Sequence, residues 1–240
     1  MFRLKDLNIL GSKAELALLP EGKLLINTIN AHSFNTAKKD KLFAEALTNG
    51  DALIPDGVSI VKACRWIKAK SQPKERIAGW DLFEFEMNKL EQLGVRKFRE
   101  HPLTVMFMGS SQKVLDLIVK RAAEVYPHLK VVTYSPPYKP EFSDEDNKAI
   151  VDAINAADPD LLWIGMTAPK QEKWTYTHWK ELNIHCRNRG ACSDVVAASW
   201  PGMALSSAEG TEAYVAPIYH RQRSLPLEHD KGIIQNCKVA

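Results

Sequence analysis

A Rossmann-like α/β fold, with a mainly parallel sheet flanked by helices, is what the 240-residue sequence predicts. Short apolar runs alternate with helix-like stretches of about 10–15 residues, the pattern of βαβ units. Two of the runs, "LTVMFMGSS" and "PDLLWIGM", are apolar almost throughout, which suits strands covered on both faces. The strand-like runs stop in small or polar turns, "MGSS", "YSPPY" and "GMTAPKQE". Right-handed crossovers would bring those turns to one edge of the sheet, where doubly wound folds bind ligands.

The elements come in a regular order. "KLLINTIN" (23–30) predicts a strand and "TAKKDKLFAEALTNG" (36–50) a helix closed by Gly50. "DALIPDG" predicts a short strand and turn, and "VSIVKACRWIKAK" (58–70) a helix. A polar loop, "SQPKERIAG", leads into the helix "WDLFEFEMNKLEQLG", which stops at Gly94. The second half repeats the alternation: strand 103–111, helix 112–126, strand "LKVVTYS", helix "SDEDNKAIVDAINAAD", strand "PDLLWIGM" and helix "APKQEKWTYTHWKEL". On the helix 112–126, Val114, Leu115, Ile118, Ala122 and Val125 recur at helical spacing and mark its buried face.

Composition narrows the function. A formal net charge of +3 is too small to argue for nucleic acid. No apolar run reaches the roughly 18 residues that a membrane span requires. The start, "MFRLKDLNILGSK", lacks the apolar core of a signal peptide, so reduced thiols and a cytoplasmic location are expected. Cys64, Cys186, Cys192 and Cys237 show no CxxC spacing, and His32, His178 and His185 are scattered, so no metal site is expected. There is no GxGxxG fingerprint and no GxxxxGK[ST] loop, which counts against dinucleotide oxidation and ATP hydrolysis.

Four stretches carry candidate chemistry. Asp56, at the end of "DALIPDG", is either a helix N-cap or a reactive carboxylate at a strand mouth. Thr28 and Asn30 share one side of a strand end at period two, though Asn also favours turns. Gly109-Ser110-Ser111 forms a small-residue turn before a helix, which lets backbone N–H groups approach an anion. In "GMTAPKQE" a permissive Gly165 is followed by Lys170, which suits phosphate, and Gln171, which suits a base or hydroxyl. The alternative there is a solvated first turn whose Glu172 favours the helix dipole.

Together these stretches resemble the WecG/TagA/CpsF family of bacterial glycosyltransferases. The matching pieces are Thr28 and Asn30, "LIPDG", "ERIAGWDL", the strand with Gly109 and the "PKQE" block, in the family's order over roughly residues 20–185. The chain departs at Trp80, at Thr167 where the family has Gly, and at "SPPY" where the family has a Gly-Tyr pair. The resemblance implies an inverting, metal-independent transfer without a cofactor. An N-acetylmannosamine-like sugar moves from a UDP-sugar donor to a polyprenyl-diphosphate-linked sugar, in cell-surface polysaccharide synthesis. It implies Asp56 as catalytic base and Thr28 and Asn30 as groups that orient substrate. It also implies a substrate site drawn from Gly57, Arg76, Asp81, Gly109, Ser110, Tyr138, Gly165, Lys170, Gln171 and Glu172. Peripheral contact with the inner membrane face and self-association are implied as well. The competing reading is a non-catalytic nucleotide-binding module that keeps the UDP pocket.

The resemblance divides the chain into an α/β glycosyltransferase domain, 1–186, and an atypical tail, 187–240. "GACSDVVAAS" (190–199) is a worn version of a family strand region, and the residues after Trp200 lack the family's basic, aromatic appendage. Permitted codons for Trp200 to Arg223, read one base later, encode a sequence of that basic, aromatic type. The expectation is that the tail is a frameshifted reading that packs poorly and leaves this chain weak as a transferase.

Overall fold

The computed structural model describes residues 1–20, 22–96 and 102–184, and the strands at 193–197, 203–204 and 216–217. Six parallel strands form the main sheet: β1 (Gly22–Ile29), β2 (Ala52–Pro55), β3 (Leu103–Met108), β4 (Leu129–Tyr134), β5 (Leu161–Ile164) and β6 (Ser193–Ala197). Their order is β2-β1-β6-β5-β3-β4. A separate antiparallel pair joins β7 (Met203–Ala204) to β8 (Ala216–Pro217). The Rossmann-like expectation holds.

Alternation along each strand divides the core into layers, because successive side chains face opposite sides of a sheet. Leu24, Ile26, Ile54, Val105, Phe107, Leu161 and Trp163 face α4 (Gly79–Arg96) and α5 (Gln112–Val125). On the other face, Ile29 and Leu53 pack with α1 (Ala31–Ala37), α2 (Lys41–Asn49) and α3 (Val58–Trp66). Further along that face Leu25, Met106, Met108, Leu162 and Ile164 meet α6 (Asp144–Ala157) and α7 (Lys170–His178). Covering on both sides explains why β3 and β5 are apolar throughout, and every residue of both is buried.

Three boundaries differ from the sequence reading. The single helix expected over 36–50 is two helices, broken where Asp40 caps α2 by accepting from the Phe43 N–H at 3.0 Å. An unexpected helix, α1, begins at Asn30 through a capping box: Asn30 Oδ1 accepts from the Ser33 N–H, and Ser33 Oγ accepts from the Asn30 N–H. The third is α3, which ends at Trp66 rather than 70, as Lys68 turns into the left-handed region at φ 50°.

Beyond residue 186, where the sequence places the end of the α/β domain, β6 sits in the middle of the sheet between β1 and β5. The rest of the expectation for 187–240, a frameshifted and poorly packed tail, lies outside the described residues.

Candidate functional site

Because all six strands run the same way, their carboxyl ends share one edge of the sheet. Two groups of residues collect there. The first lies over β1 and β2. Thr28 is buried near the end of β1 and pairs in register with Ile54. The Asp56 N–H donates to the Ile29 carbonyl at 2.9 Å, which fixes Asp56 against the β1 terminus. Gly57 stands so near that a Cβ there would lie 3.5 Å from the Asn30 Cβ. The Ile77 N–H donates to the Pro55 carbonyl at 3.0 Å, which brings Arg76 beside the same strand end. Thr28, Asn30, Asp56, Gly57 and Arg76 are thus gathered by main-chain contacts.

The N-cap of α3 is Gly57, and Asp56 stands one position before it. Asn30 does have a structural role, since its Oδ1 holds the first turn of α1. Asp81 also serves a helix start. Its Oδ2 accepts from the Ala78 N–H at 2.6 Å, and its Oδ1 pairs with Lys13 Nζ at 2.8 Å. That geometry closes the first turn of α4 and engages both oxygens of the carboxylate.

The second group surrounds a cavity of about 1100 Å³ over the ends of β3, β4 and β5. Ser110, Tyr138, Gly165 and Lys170 line it, as the sequence reading grouped them. So do Ser135, Lys139 and Phe142, which it did not single out. The prolines of "YSPPYKPEF" were the available signal, because Pro136, Pro137 and Pro140 stiffen one wall. Gly109, just before the lining residue Ser110, is required where the ends of β3 and β5 meet. Its φ is +103°, and a Cβ there would lie 2.6 Å from the Gly165 carbonyl oxygen. The close approach of the two strand ends leaves room for no side chain.

Electrostatics at this cavity favour an anion. The N-terminus of α5 opens onto it, and its N-cap, Ser111, makes no side-chain capping bond. Lys170 Nζ donates to the Lys139 carbonyl and sits 3.5 Å from the centre of the Phe142 ring. Burial holds its pKa below the usual lysine value, opposed by the Asp146 charge. Lys139 in turn pairs with Asp146 at 2.7 Å, so the rim is tied down.

Gln171 and Glu172 lie at the start of α7 and are only 3% and 2% exposed. Gln171 Nε2 donates to Glu172 Oε1 at 3.0 Å, while Gln171 Oε1 and Glu172 Oε2 are buried without a partner. Desolvation pushes the Glu172 pKa up to about 7. The alternative of a solvated first turn is therefore not what the chain adopts. Glu86, which the sequence reading did not single out, is buried on the apolar stripe of α4 and likewise pushed to about 7.

The two groups stand apart on the common edge. From β2 to β5, the nearest strand whose end lines the cavity, there are three strand intervals, about 14 Å at roughly 4.8 Å each. Neither Thr28 nor Asp56 lines the cavity. Among the described residues no three His, Cys, Asp or Glu side chains gather as metal ligands. No described helix is long and apolar enough to cross a membrane.

Fold and site define a Rossmann-like α/β protein with a ligand cleft at the carboxyl edge of its sheet. The model of the glycosyl transferase WecG/TagA/CpsF family matches residues 9–201, and the chain belongs to that family. It is 27% identical over 154 residues to the N-acetylglucosaminyldiphosphoundecaprenol N-acetyl-beta-D-mannosaminyltransferase of Bacillus subtilis (strain 168), covering 64% of this chain and 54% of that protein. The protein of that name from Bacillus spizizenii (strain ATCC 23059 / NRRL B-14472 / W23) is 27% identical over 162 residues, 67% of this chain and 57% of the relative. The Staphylococcus aureus (strain NCTC 8325 / PS 47) protein of that name is 26% identical over 156 residues, 65% and 55% of the two chains. The matches thus span about half the length of these relatives.

Proposed function

We propose that the chain is an inverting, metal-independent glycosyltransferase acting at the inner face of the membrane. Its donor is a UDP-sugar of the N-acetylmannosamine kind, and its acceptor a sugar on a polyprenyl diphosphate. The observation that carries this reading is the shared edge. A carboxylate, Asp56, held at the β1 and β2 ends stands on the same rim as an anion-favouring cavity over β3 to β5.

In this scheme the uridine diphosphate occupies the cavity, with its phosphates toward the first turn of α5 and Lys170. The sugar extends toward Thr28 and Asn30. Asp56 accepts the proton of the acceptor hydroxyl as that oxygen bonds to the anomeric carbon and the bond to UDP breaks. Charge developing on the departing UDP is stabilised by the α5 amides, while the Lys170 ammonium holds the diphosphate equally in the ground and transition states. Gln171 and Glu172, buried behind Lys170 at the start of α7, do not line the cavity and have a supporting rather than a contacting place in this scheme.

A non-catalytic UDP-binding module is the second reading, favoured by the separation of Asp56 from the cavity. The test is a panel of UDP-sugars with a polyprenyl-diphosphate-sugar acceptor. It is run on this chain and on one whose tail is restored to the basic, aromatic frame. Transfer by the restored chain supports the enzyme, with little or none expected from the chain as it stands. UDP binding without transfer in both supports the module. The nucleotide sequence behind 187–240 decides the frameshift itself, since codons that cannot encode the alternative frame refute it.

A further inference from the structure

We propose that the outward face of α3 and the turn after it form a docking surface for an anionic lipid membrane. The proposal rests on the reading above only in giving that surface a purpose, and its physical basis is separate. On α3, Val58, Lys62, Arg65 and Trp66 recur at i, i+4, i+7 and i+8 and form one exposed stripe, opposite the buried Ile60, Val61, Ala63 and Cys64. Val58 is 54% exposed and Trp66 62%, an unusual position for a tryptophan unless it meets a partner.

The charge around that tryptophan has a single sign. From residue 57 to 74 the sequence holds Lys62, Arg65, Lys68, Lys70 and Lys74 and no acidic residue. All five cations are exposed. The ion pairs among the described residues use other side chains. Backbone geometry keeps the turn in place. Lys68 at φ 50° ends the helix, the Ala69 N–H returns to the Cys64 carbonyl at 2.9 Å, and the Lys70 N–H donates to the Lys5 carbonyl at 2.9 Å. Buried Ala69 anchors the segment between outward-facing Lys68 and Lys70.

A tryptophan among exposed cations matches the boundary of an anionic bilayer. The indole seats at the headgroup level, and the cations meet lipid phosphates. A second copy of the chain fits less well, because five like charges would face five more. The placement is useful. Since the N-cap of α3, Gly57, adjoins Asp56 and lies about 13 Å along the axis from Trp66, docking along the helix holds the strand mouth within one helix length of the lipid surface. A lipid-linked acceptor then reaches the mouth without leaving the membrane.

The test is co-sedimentation of the full chain with vesicles of phosphatidylglycerol and phosphatidylcholine in equal parts, against vesicles of phosphatidylcholine alone. Binding to the anionic vesicles only, weakened by added salt, is expected. Removing Lys62, Arg65 and Lys68 together, each →Gln, is expected to weaken binding about 100-fold, or about 5-fold per cation. Trp66→Ala is expected to lose the fluorescence quenching caused by brominated lipid. Equal binding by wild type and the triple variant overturns the proposal, as does no binding by the wild type. A change of oligomeric state in Trp66→Ala with vesicle binding intact also overturns it, by assigning the face to another copy. Far-ultraviolet circular dichroism checks that the variants fold. No donor or acceptor is present, so docking is read apart from transfer: if the tail-restored chain docks but transfers no sugar, this surface stands and the transferase reading falls.

Discussion

The two ends of the carboxyl edge are built in opposite ways. Over β1 and β2 the backbone is knit tightly: Asp56 is pinned to Ile29, Ile77 to Pro55, and Gly57 touches Asn30. Over β3, β4 and β5 the chain leaves about 1100 Å³ open, behind a proline-stiffened wall and an uncapped helix start. The first end fixes side chains and the second provides volume. That difference suits a division between chemistry and binding. A reacting carboxylate must be held in one geometry, whereas a nucleotide needs room and N–H groups.

The largest expected effect separates the two ends. In the chain with its tail restored, Asp56→Asn should lower sugar transfer by about 10²–10⁴-fold, the usual worth of a general base. UDP affinity by calorimetry should stay unchanged, and unchanged transfer would remove Asp56 from its role. Next, Gly109→Ala should abolish measurable UDP binding and cost about 1–3 kcal/mol of stability in denaturant unfolding, since a side chain there enters a forbidden φ and meets Gly165. Full binding by that variant would show that the nucleotide sits elsewhere.

A smaller effect is expected at the rim. Lys170→Ala should raise KM for the donor about 10-fold with kcat nearly constant, the mark of uniform binding. A fall in kcat alone would instead tie Lys170 to the breaking bond. Stability should also report the buried acids. The pKa of Glu172 is about 7 in the folded state against 4.5 unfolded, so the folded state binds more protons. Its contribution is therefore fully present below pH 4.5 and falls as pH rises to about 7, by on the order of 3 kcal/mol. Unfolding of Glu172→Gln should show a flatter slope over that window. Smallest of all, Asp81→Ala should cost about 1 kcal/mol of stability through the first turn of α4 and leave UDP binding intact. Loss of binding would return Asp81 to the substrate site.

Much of the frame was legible in local pattern. The unbroken apolar runs of β3 and β5 reported burial on both faces, and the small residues after them reported where the strands end. The first-half helices were less legible. A capping box at Asn30 starts α1, a helix the apolar spacing did not announce, and Asp40 caps α2 five residues inside the expected start of the helix over 36–50, because side-chain oxygens take the amides that a continuous helix would use. Within the site, Lys170 and Tyr138 both line the cavity, whereas Gly109, Gln171 and Glu172, grouped with them in the sequence, do not. Asp81 has an oxygen on a helix amide and another on Lys13. The burial of Glu86 and Glu172 was not legible, because a glutamate is assigned to solvent unless its packing is known.

Sequence by itself determined the alternation of strand and helix, the edge on which the turns lie and the family to which the chain belongs. Those are properties of short windows, where the period of apolar residues and the chemistry of turns suffice. Tertiary structure alone decided that β6 enters between β1 and β5, which sets the β2 end and the near wall of the cavity at β5 about 14 Å apart rather than side by side. It also decided which carboxylates are buried. Strand order and burial depend on contacts between residues far apart in the chain, and no local pattern carries that information.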